Sequence, residues 1–105
     1  MKKKSNSLKA LERKRWSILT GSLIQCYICK QPATDIHEVY GGCNRRNSML
    51  YGFCVPLCRN CHQRATFYAS ENLKLKVICQ KEFEKNHSRA EFMDIIGRNY
   101  LYEQL

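Results

Sequence analysis

The chain has 105 residues, 44% of them hydrophobic, which suits one small globular domain with a thin core rather than a disordered chain. Its net charge of +9 favours a polyanionic partner, nucleic acid before an acidic membrane, over a basic surface that serves only solubility. No apolar run reaches the roughly 20 residues that span a bilayer, and the N-terminal lysines lack the apolar stretch of a signal peptide.

The N-terminal segment is strongly basic, with seven Lys or Arg from Lys2 to Arg15 against one acidic residue, Glu12. Its apolar residues recur near helical spacing and predict a helix over about 7–19, ended at 20–22. This helix is either a solvated element packed on the core or a phosphate-binding arm. Both hold if one face packs while three side chains point outward: Lys9, Arg13 and Arg15.

Two Cys-x-x-Cys pairs, Cys26/Cys29 and Cys58/Cys61, lie 28 residues apart. Each pair grips one ion from a tight turn, and two pairs complete a tetrahedral zinc site with no open position, which is structural. A redox motif and an iron-sulfur cluster are the alternatives. Because seven cysteines are an odd number and no export signal is present, we expect no disulfides and a cytoplasmic location. The other three are expected to be small buried hydrophobes: Cys43, Cys54 and Cys79.

Between the cysteine pairs, residues 34–40 predict a strand that Gly41-Gly42 ends. Residues 43–48 predict a polar, basic loop, and 53–57 a second strand, which Pro56 confines to an edge or a bend. A helix is expected from the second cysteine pair to about residue 69. Another, capped by Ser70, is expected over about 71–86. The sequence Ser88-Arg89-Ala90-Glu91 is a capping box that starts a last helix, and Gly97 stops it.

The segment between the cysteines also carries candidate catalytic residues. A zinc ion that joins its two ends brings the strand with His37 close to the helix with His62. Two imidazoles with Asp35 and Glu38 nearby predict a divalent-metal site. Taken singly, His37 could be an ordinary strand residue and His62 a hydrogen-bonding partner of a zinc thiolate. Nearby arginines suited to phosphates are Arg45, Arg46, Arg59 and Arg64. A metal, a base and cations are the parts that phosphodiester hydrolysis needs.

These motifs resemble the HNH nucleases, the zinc-stapled branch of the ββα-metal fold, and in particular small bacteriophage and prophage HNH proteins. The resemblance rests on Cys-x-x-Cys, the stretch Asp35 to Gly42, Asn44-Arg45-x-x-Ser48-x-x-Tyr51-Gly52, and Pro-Leu-Cys-x-x-Cys-His. It covers about residues 12–69. It implies one catalytic Mg²⁺ or Mn²⁺ ion, a water-activating histidine, and products with 5′-phosphate and 3′-hydroxyl ends.

Carried over residue by residue, the family pattern makes His37 and His62 the metal ligands. It places the general base at Glu38, where the family usually has His. Glu38 is then the base; alternatively the register shifts by one, His37 becomes the base, and Asp35 or Glu38 is a ligand. A third possibility is a degenerate site that binds DNA without cutting. The family's middle Asn has two candidates, Asn44 and Asn47.

The sequence thus predicts an α+β domain with a zinc-stapled ββα-metal core at 23–69, a basic N-terminal arm or helix at 1–22 and a helical extension at 70–105. The expected function is HNH-type cleavage or nicking of DNA, double-stranded or structured, in the host cytoplasm if the protein is phage-encoded. We expect no membrane or small-molecule partner. The alternatives are a zinc module that binds nucleic acid without cleavage and a protein that binds a host protein. The DNA-contacting residues are predicted to be Lys9, Arg13, Arg15, Asn44, Arg45, Arg46, Asn47, Arg59 and Arg64.

Overall fold

The structure is a computed structural model that describes residues 8–101. In chain order its elements are α1 (Leu8–Arg13), β1 (Asp35–Glu38), α2 (Arg45–Tyr51), β2 (Cys54–Leu57), α3 (Arg59–Phe67), α4 (Ala69–Phe83) and α5 (Arg89–Ile96), with a 3₁₀ turn, Gly42–Asn44, before α2. The described part of the chain is therefore a small α+β fold. No helix within it is long and apolar enough to cross a membrane.

The two strands form an antiparallel sheet in which Asp35 lies opposite Leu57 and His37 lies opposite Val55. Pro56 lacks an N–H, which a two-stranded sheet tolerates because each strand has a free edge. The Pro56 carbonyl instead accepts a hydrogen bond of 2.8 Å from the Tyr27 N–H. This bond ties the first cysteine pair to β2.

The core lies between the sheet and the last two helices. The Tyr40 ring, which follows β1, packs edge-on against Phe53 and Phe92, with ring centroids 5.2 and 5.6 Å away. Leu75 and Phe83 of α4 belong to the same buried cluster. Burying a large apolar side chain contributes about 1.5–3 kcal/mol, so this cluster fixes α4 and α5 against the sheet.

The ends of the C-terminal helices follow local signals. The Ser88 side chain accepts from the Glu91 N–H and the Glu91 side chain accepts from the Ser88 N–H, which confirms the capping box. Gly97 ends α5 in the left-handed conformation, at φ 87°, as predicted. The predicted bounds of α4 were wrong by about two residues at its start and about three at its end, and Ser70 lies within its first turn instead of capping it.

The predicted N-terminal helix was too long. Of its described part, only Leu8–Arg13 is helical; residue 7 lies outside the described residues. Beyond Arg13 the chain makes distant contacts that a continuing helix would prevent. The Ile18 N–H donates to the Gly52 carbonyl at 2.7 Å, and the Arg15 guanidinium pairs with Glu38.

The predicted loop over residues 43–48 is a second correction, because most of it is the first turn of α2. Helix α2 ends at Gly52, whose φ of 76° is left-handed. A Cβ on Gly52 would lie 2.7 Å from the Trp16 ring, so only glycine fits this position without displacing Trp16. The expectation of three buried cysteines was right for Cys54 and Cys79 but wrong for Cys43, which is exposed.

Candidate metal centre and active site

The four cysteines of the two Cys-x-x-Cys pairs converge on one point. The sulfur atoms of Cys26, Cys29, Cys58 and Cys61 all lie within 4.8 Å of one another. Cys58 is also the N-cap of α3, where its sulfur accepts from the Cys61 N–H at 3.4 Å. Four sulfurs so close together could hold a metal ion such as zinc, as the sequence predicted. Within residues 8–101 no other group of three or more Cys, His, Asp or Glu side chains meets the same distance criterion.

The surroundings of these thiols shift their pKa values in opposite directions. Burial raises the pKa of Cys26, but backbone N–H groups, including those of Cys29 and Cys58, more than offset it and lower the pKa to about 6. Burial and the neighbouring sulfurs raise the pKa of Cys61 to about 12. Crowded thiols cannot all ionise unless a cation neutralises them, which is the chemistry a bound metal supplies.

A pair of histidines lies next to the cysteine cluster. His37 on β1 and His62 on α3 face each other with ring centroids 5.2 Å apart, in an edge-to-face arrangement. His62 follows Cys61 directly, so the fold that gathers the cysteines also brings the two rings together. The structure therefore places these two predicted site residues side by side, although they are far apart in sequence.

His37 is unusual among the buried polar side chains. It is 8% exposed, and its Nε2 atom has no hydrogen-bond partner among the described residues. Burial lowers the pKa of His37 to about 4, with a smaller contribution in the same direction from the nearby His62 ring. The His37 ring is therefore neutral at neutral pH, and one of its ring nitrogens keeps an unprotonated lone pair.

Asp35 lies on the same face of β1 as His37 and orients His62. One of its oxygens, Oδ2, lies 2.8 Å from His62 Nδ1, while Arg59 holds both oxygens of the same carboxylate at 2.9 and 3.1 Å. The Arg59 guanidinium, with a smaller effect of His62, lowers the pKa of Asp35 to about 2. The Asp35 carboxylate is therefore ionised and hydrogen-bonded to both Arg59 and His62. Because it contacts His62 Nδ1, the Nε2 atom is the ring nitrogen of His62 that is available to a ligand.

Glu38 projects from the opposite face of β1, as successive strand residues do. Its Oε2 atom accepts from Arg15 at 2.8 Å and its Oε1 atom accepts from Arg45 at 2.6 Å. Arg45 also pairs with Glu12 of α1. The Glu38 side chain is only 13% exposed, so it is the centre of a half-buried ion-pair network that joins α1 and α2 to β1.

Two residues predicted to contact DNA, Asn44 and Asn47, make hydrogen bonds within the fold. The side-chain amides of Asn44 and Asn47 donate to the carbonyls of Ile96 and Ile95, each at 2.9 Å. These carbonyls lie in the last turn of α5, where the helix itself supplies no partner. The two asparagines thereby attach the start of α2 to the end of α5.

The remaining predicted phosphate contacts differ in exposure. Lys9, Arg13 and Arg64 are exposed, and Arg46 is partly buried. Arg15 does not point outward as predicted, because it is partly buried against Glu38. Arginines that lie close to β1 are thus engaged by carboxylates, and exposed basic residues lie on α1 and α3.

A polar cavity of about 330 Å³ lies beside the end of β1 and the residues that follow it. His37, Thr66, Asn72, Lys76 and Tyr100 line it, among others, so α4 and the C-terminal segment contribute to this site. Sequence reasoning missed Lys76 and Asn72. Their spacing of four residues puts them on one face of α4, but no motif marks that face as functional.

No family model matches this chain, and no similar curated protein and no similar solved structure was found.

Proposed function

We propose that the protein is a metal-dependent DNA endonuclease of the HNH type, with a ββα-metal core formed by β1, β2 and α3. The observation that carries the proposal is the approach of His37 and His62 beside the cysteine cluster. Two imidazoles next to a fixed carboxylate, in a protein with a net charge of +9, suit the hydrolysis of a polyanion.

The cysteine cluster is proposed to bind a structural zinc ion. Four thiolates saturate tetrahedral zinc, so no position is left for substrate or water. The cluster joins the segment before β1 to the start of α3, because Cys26 and Cys29 come from the former and Cys58 and Cys61 from the latter. Its role is to hold His62 opposite His37.

A catalytic Mg²⁺ or Mn²⁺ ion fits His62 best. Asp35 holds His62 Nδ1 and so directs Nε2 away from the carboxylate, the arrangement that commonly orients metal-binding histidines. When bound, the ion supplies positive charge at the phosphate and the leaving oxygen. Because Asp35 is occupied by Arg59 and His62, the chain offers few ligand atoms, and water and phosphate oxygens would have to supply the other ligands.

Of the two candidate bases, the contacts favour His37 over Glu38. The His37 ring is neutral and its Nε2 atom has no hydrogen-bond partner within residues 8–101, whereas both Glu38 oxygens accept from arginines on the other face of the strand. In the proposed reaction, water attacks phosphorus, its proton passes to His37 Nε2, and the bond from phosphorus to the 3′ oxygen breaks. The 3′ oxygen takes up a proton, which leaves 5′-phosphate and 3′-hydroxyl ends.

The test is nicking of supercoiled plasmid by zinc-loaded protein with Mg²⁺ or Mn²⁺, with EDTA as a blank. His37→Ala is expected to lower the rate at least ~100-fold, in the range of a lost general base. His87→Ala, at the exposed third histidine, is the matched control and keeps the rate. Absence of nicking with any divalent ion would refute the endonuclease.

The second candidate is a zinc module that binds nucleic acid without cutting it. The occupied carboxylate of Asp35 favours it, because only His62 and the proposed base, His37, then remain near a catalytic ion. Tight, salt-sensitive DNA binding without nicking would establish this function. If DNA is neither bound nor cut at low salt, a protein partner becomes the better candidate.

A further inference from the structure

Two adjacent aromatic side chains are exposed at the corner between α3 and α4. Phe67 is the last residue of α3 and Tyr68 follows it, and the two residues are 77% and 60% exposed. Neither packs against the buried clusters that the described residues form. A single exposed apolar residue is common on protein surfaces, but neighbouring exposed rings of this size indicate a contact surface.

Hydrogen bonds hold this corner in place. The Tyr68 N–H donates to the Arg64 carbonyl at 3.0 Å, and the Tyr68 carbonyl accepts from the Asn72 N–H, also at 3.0 Å, where α4 begins. The side-chain amide of Asn72 donates to the Ala65 carbonyl at 3.2 Å, which ties α4 back to α3. A ring presented from a fixed corner loses little conformational entropy when a ligand stacks on it.

The two rings border a surface cavity of about 370 Å³, and polar side chains of α3 line the rest of it: Asn60, Gln63 and Arg64. These three residues are exposed, and their spacing of three and four residues puts them on the outer face of α3. Arg64 is the one charged side chain among the described residues that line the cavity. The next acidic residue along the chain, Glu71, does not line it. The cavity therefore combines flat apolar surface with a positive charge.

This combination favours the bases of a nucleic acid as the ligand. Every base has a flat face that stacks on an aromatic ring whatever the sequence, and a nearby guanidinium suits the adjoining phosphate. The net charge of +9 attracts the same polyanion. In a paired duplex each base face is covered by its neighbours, so only unpaired bases offer a free face to the rings.

The aromatic corner and the proposed metal site lie on different sides of α3. Phe67 follows His62 by five residues, which corresponds to about 7.5 Å along the helix axis and about 140° around it. A DNA strand that contacts both therefore places different nucleotides at each. The rings thus contact bases away from the bond that is cut.

We propose that Phe67 and Tyr68 stack on unpaired bases of DNA, with Arg64 on the adjoining phosphate, so that the protein prefers DNA that contains a single-stranded segment. The inference rests on the proposed function for its substrate class, and it deepens it by naming the form of the DNA and the residues that contact bases. Phe67 and Tyr68 are substrate-binding residues, and the preference arises in binding without any catalytic ion.

The direct test compares two labelled duplexes of equal length, one fully paired and one with a central bubble of mismatches, by fluorescence anisotropy with zinc-loaded protein and no added Mg²⁺ or Mn²⁺. Wild type is expected to bind the bubble at least about fivefold more tightly than the paired duplex, the lower end of the gain from one stacked base. Phe67→Ala is expected to lose at least about fivefold in affinity for the bubble and less than about twofold for the paired duplex.

Two further variants are the controls. Phe67→Tyr keeps an aromatic ring and is expected to retain the preference for the bubble. Ile24→Ala removes an apolar side chain that is 78% exposed and does not line this cavity, so it should change neither affinity. Equal binding of the two duplexes by wild type would overturn the proposal, and so would wild-type affinity for the bubble in a folded Phe67→Ala variant.

Plasmid nicking separates this proposal from the endonuclease itself. If Phe67→Ala loses affinity for the bubble but neither it nor wild type cuts DNA with any divalent ion, the aromatic site stands and the endonuclease fails. If wild type nicks plasmid but binding of the bubble does not depend on Phe67, the endonuclease stands and the aromatic site fails. If wild type binds neither duplex at low salt, both fail, and the exposed rings are better explained as a contact for a protein.

Discussion

At the scale of single residues, the two faces of β1 decide the proposed chemistry. His37 and Glu38 are neighbours on opposite faces, and their environments differ. The imidazole is buried with no partner at Nε2 in the described part of the chain, and the carboxylate is held by two arginines. The pairing of Glu38 depends on Arg15 and Arg45, which only the folded chain brings to it. For this reason the sequence left the choice of general base open.

Glu38→Gln tests whether this carboxylate is structural. The change removes a half-buried charge from between two arginines and is expected to cost about 1–2 kcal/mol in the free energy of unfolding, measured with urea. Nicking is expected to stay within tenfold of wild type at a temperature where the variant is folded. Glu82→Gln, which breaks a surface pair with Lys85, is the control and should change stability by less than about 0.5 kcal/mol. Loss of nicking in folded Glu38→Gln would return the role of base to Glu38.

Cys58→Ser tests the cysteine cluster. The variant is expected to lose bound zinc, assayed by atomic absorption, and to lose its cooperative thermal transition, because structural zinc contributes on the order of 10 kcal/mol to small domains. Cys43→Ser, at an exposed cysteine outside the cluster, should keep one zinc per chain and the wild-type transition. A Cys58→Ser protein that melts like wild type would contradict the structural role.

At the scale of elements, the sequence correctly predicted features that depend on residues close together in the chain. The capping box at Ser88, the stop at Gly97 and the spacing of the cysteine pairs are local signals, and each was found as expected. Helix α2 and the early end of α1 were missed, because the chain between them is fixed by distant contacts such as that of Trp16 with Gly52. Lys76 was missed for the same reason: only the packing of α4 brings it to the cavity beside β1.

Gly52→Ala tests the junction of α1, α2 and β2. A left-handed backbone costs a residue with a Cβ about 1–2 kcal/mol, and displacing Trp16 adds about 1–3 kcal/mol, so the variant should lose about 2–5 kcal/mol of stability. Fluorescence of Trp16, the one tryptophan, reports both unfolding and the altered ring environment. Gly41→Ala is the control and should be nearly neutral, since Gly41 is extended and an added Cβ would meet no atom within 4 Å. Equal stability of the two variants would contradict the packing of Trp16 on Gly52.

At the scale of the whole molecule, the net charge is +9, but only some of the basic side chains are exposed and able to contact DNA. Arg15, Arg45 and Arg59 are paired with carboxylates around β1, whereas Arg13 and Arg64 are exposed. Long-range attraction of DNA depends on the total charge, but counterion release depends on the side chains that reach phosphates. Exposed residues of α1 and α3 are therefore expected to dominate the salt dependence of binding.

This expectation can be measured by DNA binding in EDTA over a range of salt concentrations. Arg64→Gln is expected to reduce the slope of log K against log[salt] by about 1, the value for one lost phosphate contact. Arg45→Gln should leave the slope unchanged and lower the free energy of unfolding, because Glu12 and Glu38 already neutralise this guanidinium. A larger change of slope in Arg45→Gln than in Arg64→Gln would show that the ion pairs open when DNA binds.

The proposed mechanism requires a second metal ion at His62, beside the proposed base His37 and distinct from the cysteine cluster. The most direct measurement is a crystal structure of the zinc-loaded protein soaked with Mn²⁺, with anomalous diffraction data collected at the absorption edges of both metals. We expect a zinc peak among the sulfurs of Cys26, Cys29, Cys58 and Cys61 and a separate manganese peak within bonding distance of His62 Nε2, on the side facing His37. A zinc peak at the cysteines with no manganese at the histidines would contradict it.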